Sequence, residues 1–433
     1  MRILLVGNGA REHAIAEKLA QDCELYSVMS KKNPAIAQLS KEYWICDIEN
    51  PDAVLKAISG HSFELGFSSP DATLAAGVSD ALASTGMLVA SPSKAASRIE
   101  WDKSYMRNIM KKYGIEGSPA YELVKTESDA LRVLKDYDAV AIKPLGLTGG
   151  KGVKVTGDHF TEIQDGAEYA YSLIKKDGIA LIEEKLIGEE FTFQAFCDGS
   201  KMVFMPPVQD HKRAFEQDKG PNTGGMGSYS TGDLLPFLTN SDLEIAKKIM
   251  QGIIYALKKD GAPFKGVLYG QFIITKKGPK VIEFNARFGD PEAMNVLSLL
   301  EDPLSNIFLS MAEGQLTSAK FSTNSTVVKY LVPEGYPDNP LRDKEVSVDS
   351  KNLELSGAQV YYASVYESTG KIFTTGSRAF GIIGKAKTLD DAEKIAEKGC
   401  DYVSGPVWHR KDIGTKEFVN TKIDRVLKLR DKP

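Results

Sequence analysis

The string Val281-Ile282-Glu283-Phe284-Asn285-Ala286-Arg287-Phe288-Gly289-Asp290-Pro291-Glu292 holds the densest chemistry in the chain. Side chains alternate faces along a strand, so Glu283 and Asn285 share one face and Phe284 takes the other, toward a core. Two oxygen donors on one face suit Mg²⁺, which takes one or two carboxylates and completes its shell with phosphate oxygens and water. Gln271 lies twelve residues earlier, on the partner strand of a hairpin turning at Lys277-Gly278, and could add a third oxygen. Arg287 follows on the exit loop, where its planar fork can meet an anion bidentately.

Three glycine-rich stretches could serve anions. Gly7-Asn8-Gly9-Ala10-Arg11-Glu12-His13 lies between an apolar strand and a helical pattern. A dinucleotide fingerprint would carry glycine or alanine where Glu12 stands, and an acid near 29–31, where there is none. Two readings remain, a tight turn or a phosphate or phosphosugar site to which Arg11 lends charge. The second stretch runs from Lys143 through Gly146-Leu147-Thr148-Gly149-Gly150-Lys151-Gly152. It is not a Walker A loop, because Gly152 replaces Ser/Thr and a strand follows. It is either a flexible hairpin or a flap over a triphosphate, with Lys143 and Lys151 supplying positive charge. The third stretch is the polar segment 206–235, with Asp210-His211-Lys212-Arg213 and Gly220-Pro221-Asn222-Thr223-Gly224-Gly225-Met226-Gly227. Its glycines favour open backbone N–H groups, which is anion-binding chemistry, against the alternative of a solvated loop. Between flap and loop, Leu181–Phe191 reads by itself as a strand end with a solvated charge run.

These residues need elements to hold them. Ile3–Val6, Leu25–Met29, Glu64–Ser68 and Met87–Ala90 read as strands alternating with helices at Arg11–Gln21 and Ala72–Thr85. That alternation predicts a parallel sheet. Ser91-Pro92-Ser93 marks a boundary just beyond it. Helices are expected at 101–113 and 241–259, and a β-hairpin at 264–284. After residue 324 the strands Val327–Val332, Gln359–Val365 and Ile382–Lys385, with a helix Asp390–Tyr402, give an α+β unit. The expected division is 1–98, 99–324 with a flap subdomain at about 120–190, and 325–433.

With 54 basic and 58 acidic residues among 433, the net charge of -4 argues against a nucleic-acid binder. Four scattered cysteines without CxxC suggest idle thiols rather than a disulfide framework or a zinc site. The apolar run at the N-terminus is too short for a signal peptide, and no window approaches 18 apolar residues. A cytoplasmic protein is the expectation.

Together the strings GNGAREHA, QDHKR, GPNTGGMGSYS, VIEFNARFGDPE and HRKDIG, in order along the whole chain, resemble the ATP-grasp superfamily and, within it, the phosphoribosylamine-glycine ligase family. The resemblance implies a Rossmann-like N-terminal domain on the phosphoribosylamine side, a central ATP-grasp unit and a C-terminal α+β domain. It implies a carboxylate-amine ligase of purine biosynthesis that joins glycine to 5-phosphoribosylamine through glycyl phosphate, cleaving ATP to ADP and phosphate. ATP and Mg²⁺ (or Mn²⁺) would be its cofactors, small molecules its partners, and the monomer its state. By the same resemblance Lys103, Lys143 and Lys151 contact the phosphates, Glu183 and the Leu186 backbone face adenine, and Glu190 meets the ribose. Glu283 and Asn285, with Gln271, hold the metal, while Arg287, Lys143 and Asp210 serve catalysis. Gly7, Asn8, Gly9, Arg11, Asp71, Asp210, Lys212, Asn222, Thr223, Gly224, Arg287 and Pro291 line the substrates. The chain departs from the family's pattern at Ser69-Pro70-Asp71, which replaces Gly-Pro-Glu, at Gln271, where many members have a small residue, and at GLTGGKGV, usually closer to GLAAGKGV. Two other readings stand beside this one: a related ligase acting on another amine, and a nucleotide-binding module without turnover.

Overall fold

The computed structural model describes residues 1–146 and 152–431. Its N-terminal layer is a five-stranded sheet in the order Glu42–Ile45, Glu24–Met29, Arg2–Val6, Leu65–Ser68, Leu88–Val89. Every pairing in it is parallel. Its central strand, RILLV, is buried on both faces, as a strand covered by helices on two sides must be. The expected helix Ala72–Thr85 is two helices, Asp71–Ala76 and Val78–Ser84. They break at Gly77, which sits at φ 96° where an L-residue would be strained.

The central region has two lobes. The smaller is an antiparallel sheet ordered Tyr121–Val124, Ala180–Glu184, Val140–Lys143, Lys154–Val155, backed by helices Glu127–Asp136 and Ile163–Asp177. It keeps a core of its own around Val133, Ile142, Ala170 and Ile182. The larger lobe is a second antiparallel sheet, ordered Met202–Phe204, Glu189–Asp198, Lys265–Thr275, Gly278–Asn285. The helix expected at 101–113 runs over Lys103–Lys112, and a further helix, Lys94–Trp101, precedes it. Asp102 separates them, and its carboxylate accepts the Tyr105 N–H as an N-cap, which sets Lys103 on the first turn.

The segment 206–235, expected as a loop, holds four short strands. Two of them, Gln209–Asp210 and Gly227–Ser230, extend the C-terminal sheet through Ser325–Pro333, Phe380–Ala386 and Gln359–Tyr362. That sheet crosses the boundary expected at residue 324. Its middle strand, Ser325–Pro333, is buried at all nine positions. A second small sheet and the helices Leu389–Cys400 and Lys416–Asp431 complete this part.

Candidate functional site

The hairpin of the larger lobe builds the site's floor. Gln271 pairs with Glu283 and Phe272 with Val281, which leaves Ile282 unopposed in a β-bulge. Arg107 takes two carbonyls at this bulge, its Nη2 lying 3.3 Å from Val281 O and 2.9 Å from Ile282 O. Beyond the bulge, the side chains of Glu283 and Asn285 make no hydrogen bond to the described residues. Burial pushes the Glu283 carboxyl up, but the charges of Lys212, Lys103, Lys143 and Arg287 outweigh it and hold it below the ordinary range. A carboxylate and an amide oxygen left open within a ring of cations form a donor set that fits a divalent metal bridged to phosphate. Among the described residues no group of three or more His, Cys, Asp and Glu could hold a metal by itself.

Gln271 does not join that pair. Its Oε1 accepts from the Lys212 ammonium, a group a divalent cation would repel, and its Nε2 donates to Glu190 at 2.5 Å. The expected third ligand is therefore a bridge that sets Lys212 and Glu190 in place.

On the smaller lobe, Glu183 ends its strand between two cations. Arg107 Nε lies 2.5 Å from one carboxylate oxygen and Lys143 Nζ 2.6 Å from the other. Burial favours the neutral acid here, yet these two charges hold the Glu183 carboxyl down at about 2. The Glu183 carboxylate, expected to face adenine, is thus turned to Arg107 and Lys143. Lys143 keeps two N–H groups for a ligand. Lys103 Nζ donates to Gly146 O at 3.0 Å, where the flap begins. Burial lowers the Lys103 ammonium, and Lys143 adds to this while Glu283 opposes it. Leu186, in the connection between the lobes, has a backbone N–H without an acceptor among the described residues. Glu190 is exposed at the start of the next strand. Lys151, with the flap tip at 147–150, lies outside the described residues.

The third wall comes from the N- and C-terminal parts. Arg287 pairs with Glu100 at 3.1 Å, and its Nε is buried without a partner. Burial raises the Glu100 carboxyl to about 7, with Asp71 adding to the shift and Arg287 opposing it. Asp71 also faces Arg287. Asp210 is half-buried with its Oδ1 enclosed and unbonded among the described residues, and desolvation, reinforced by the neighbouring Glu292, raises its carboxyl well above the usual value. Lys212 stands among Glu190, Glu283, Asp210 and Glu292, which outweigh burial and keep its ammonium protonated. Its carbonyl accepts from both the N–H and the hydroxyl of Thr223, at 2.7 and 2.8 Å. Arg378, from the C-terminal part, donates to Gly224 O, Gly225 O and Asp290 O at 2.5, 2.9 and 3.0 Å. A Cβ on Gly225 would fall 2.5 Å from Asp210 Oδ1 and 2.7 Å from Pro291 Cδ, so this approach demands glycine.

The first glycine turn differs. Gly9 N–H donates to Glu12 Oε2 at 2.6 Å, Arg11 Nε to Glu12 Oε1 at 2.6 Å, and Asn8 Oδ1 accepts from Ser30. Arg11 Nη1 reaches Phe288 O at 3.1 Å, beside Arg287. Gly7 packs against Glu12 and Pro70. Asn222 stands exposed on its short strand.

The structure thus gathers Lys103, Lys143, Glu183, Lys212, Glu283, Arg287 and Asp210 around one centre. Arg107, Glu100 and Arg378 belong to it and escape a reading of the sequence. Arg107 stands four residues after Lys103, the spacing that puts two side chains on one helix face, and that was its sole signal.

Family models match in three consecutive pieces: phosphoribosylglycinamide synthetase N domain over 1–100, its ATP-grasp domain over 101–293 and its C domain over 326–416. A phosphoribosylamine-glycine ligase of Methanosarcina acetivorans is 50% identical over 437 residues, covering 99% of this chain and 98% of its own. One from Pyrococcus abyssi is 46% identical over 432 residues, covering 99% of this chain and 98% of its own. The crystal structure of the Thermotoga maritima phosphoribosylamine-glycine ligase superposes with a TM-score of 0.81 at 27% identity, covering 95% of this chain and all of that one. Family models, full-length relatives and a superposing crystal structure, on a site where four cations face a carboxylate-amide pair, make this chain a member of the phosphoribosylamine-glycine ligase family, an ATP-grasp ligase.

Proposed function

We propose that the site joins glycine to 5-phosphoribosylamine in two displacements driven by ATP, within purine biosynthesis in the cytoplasm. The observation that carries this is the Glu283–Asn285 pair, whose side chains make no hydrogen bond among the described residues and which Lys103, Lys143, Lys212 and Arg287 face. Such a ring suits a triphosphate with its metal and leaves no role for a covalent enzyme nucleophile. Adenine lies against the Leu186 backbone, the ribose near Glu190, and Lys103 and Lys143, with Lys151 from the flap, meet the phosphates. Glu283 and Asn285 hold Mg²⁺ or Mn²⁺, which when bound neutralises charge on the β- and γ-phosphates.

A glycine carboxylate oxygen attacks the γ-phosphorus, the bond to ADP breaks, and glycyl phosphate forms. Arg287 and Lys143 oppose the charge spread over the transferring group. The phosphoribosylamine nitrogen then attacks the acyl carbon, phosphate leaves, and the nitrogen loses one proton. Asp210 and Glu292 are adjacent carboxylates, and a substrate ammonium beside them relieves their repulsion. Phosphoribosylamine approaches from the N-terminal sheet, between the Gly7–Gly9 turn, Asp71 and Arg287, with Asn222, Thr223, Gly224 and Pro291 on the facing wall. The working unit is the monomer.

ADP release measured with freshly prepared phosphoribosylamine and a panel of amino acids tests the reading. ADP should appear with glycine and depend on phosphoribosylamine. Release with a different amino acid or amine alone would transfer the chain to another substrate, and no release with any would remove the activity.

A further inference from the structure

Arg107 is a fully buried cation and stands where the two central lobes meet. Its Nε holds Glu183 at 2.5 Å on the smaller lobe, while its Nη2 holds Ile282 O at 2.9 Å and Val281 O at 3.3 Å on the larger. Glu183 in turn holds Lys143 at 2.6 Å. Both carbonyls lie at the bulge that separates Val281 from Glu283. We propose that Arg107 is a positioning residue that fixes Lys143 and the Glu283–Asn285 edge in one frame, so that the phosphate-binding cation and the metal-binding oxygens keep a set separation. This rests on the nucleotide and metal roles proposed above for Lys143 and Glu283.

Three physical points support it. First, bulged carbonyls buried without donors are costly, and the strand would tend to recover regular pairing. A one-residue slip moves every side chain to the opposite face, which would take Glu283 away from the site. Second, Glu183 has two oxygens and two cations. If Arg107 withdraws, the carboxylate has Lys143 as its sole partner and draws that ammonium away from a phosphate. Third, a guanidinium spans a carboxylate and two carbonyls because its donors point outward in a rigid plane. A lysine ammonium at the same place is a single point and cannot reach both lobes with the same geometry.

The alternative is that Arg107 only cements the lobes. A cement lowers the melting temperature and weakens all substrates alike. A positioning residue moves ATP and metal together and leaves glycine alone. The test is R107K beside E283Q and wild type. It uses calorimetric ATP binding without metal, Mn²⁺ binding followed by electron paramagnetic resonance with a non-hydrolysable ATP analogue, and KM for glycine. We expect R107K to weaken both ATP and Mn²⁺ binding by about 10–100-fold, the usual cost of losing a residue that orients metal ligands, with the glycine KM within about twofold. A folded R107K with unchanged ATP and Mn²⁺ binding overturns the proposal, and so does a uniform loss that includes glycine. Should R107K fail to fold, E183Q removes the charge that Arg107 grips and must weaken both ligands in the same pattern; unchanged binding there overturns it as well. E283Q separates the two levels. If E283Q leaves Mn²⁺ binding intact, the metal assignment fails; if E283Q abolishes it while R107K does not alter it, the role of Arg107 alone fails.

Discussion

The first glycine turn and the carboxylate-amide hairpin resemble each other as sequences and differ as structures. Each sets polar residues beside a tight backbone where a strand ends. In the turn, the chain satisfies itself. Glu12 accepts from Gly9 N–H, from Arg11 Nε and from Ser69 Oγ at 2.6, 2.6 and 2.5 Å. In the hairpin, Glu283 and Asn285 are left open, although four cations face Glu283. A polar group that its own chain has paired is part of the scaffold, whereas one left unpaired in a charged, enclosed place is held ready for a ligand. Arg11 donates to Phe288 O at 3.1 Å, which ties the turn to the loop that carries Arg287.

The sharpest way to break this contrast is E283Q. It keeps the shape of the side chain and removes the charge, and turnover at limiting metal should fall by roughly 10²–10³-fold with the melting temperature nearly unchanged. Near-normal turnover would put Glu283 among the scaffold residues. N285A should raise the metal concentration for half-maximal rate by about 10–100-fold, read from a metal titration of ADP release. E12Q should show the opposite profile. It removes a charge that three donors share, so chemical denaturation should report a loss of about 1–3 kcal/mol, while ATP affinity stays within about twofold. A large change in ATP affinity with intact stability would erase the distinction between the two regions.

The smallest effect concerns pH. His13 follows the turn, and its Nδ1 accepts the Tyr362 N–H at 2.9 Å. Burial lowers its pKa to about 3, so the folded protein keeps it neutral. The unfolded chain therefore binds the extra proton between pH 6.5 and 3, and stability is lost as pH falls through that window. Between pH 6.5 and 5.5 this one group should account for about 1 kcal/mol. H13N should flatten the dependence of the denaturation midpoint over that interval by that amount, and an unchanged slope would refute the assignment.

Much of the site was legible because it follows from alternation. Glu283 and Asn285 fall on one face by the two-residue period of a strand, and Phe284 packs into the core as that period requires. The bulge at Ile282 was not legible, since an isoleucine in a strand carries no mark of an unopposed position. Arg107 reads as one more charge on a helix and becomes the link between lobes through contacts 76 and 175 residues away in sequence. Gln271 has the right face for a metal ligand, but its amide is taken by Lys212 and Glu190, which local pattern does not reveal. The segment 206–235 reads as a loop because its strands are short and polar, pair mostly with one another, and join a larger sheet only through Gly227–Ser230 on Ser325–Pro333. The helix Lys416–Asp431 also went unread. Its apolar positions Phe418, Val419 and Val426 do recur at helical spacing, among many charges, and Lys422 and Arg425 carry it onto Asp218 and Glu189, next to Glu190.

The central claim is that glycine's carboxylate becomes an acyl phosphate before the amine attacks it. Glycine labelled with ¹⁸O in both carboxylate oxygens tests it in a single experiment with ATP, phosphoribosylamine and the enzyme. The account predicts that each turnover transfers one labelled oxygen to inorganic phosphate and leaves one in the amide product, seen as a shifted phosphorus resonance. Unlabelled phosphate, with the expelled ¹⁸O recovered in water, would contradict it.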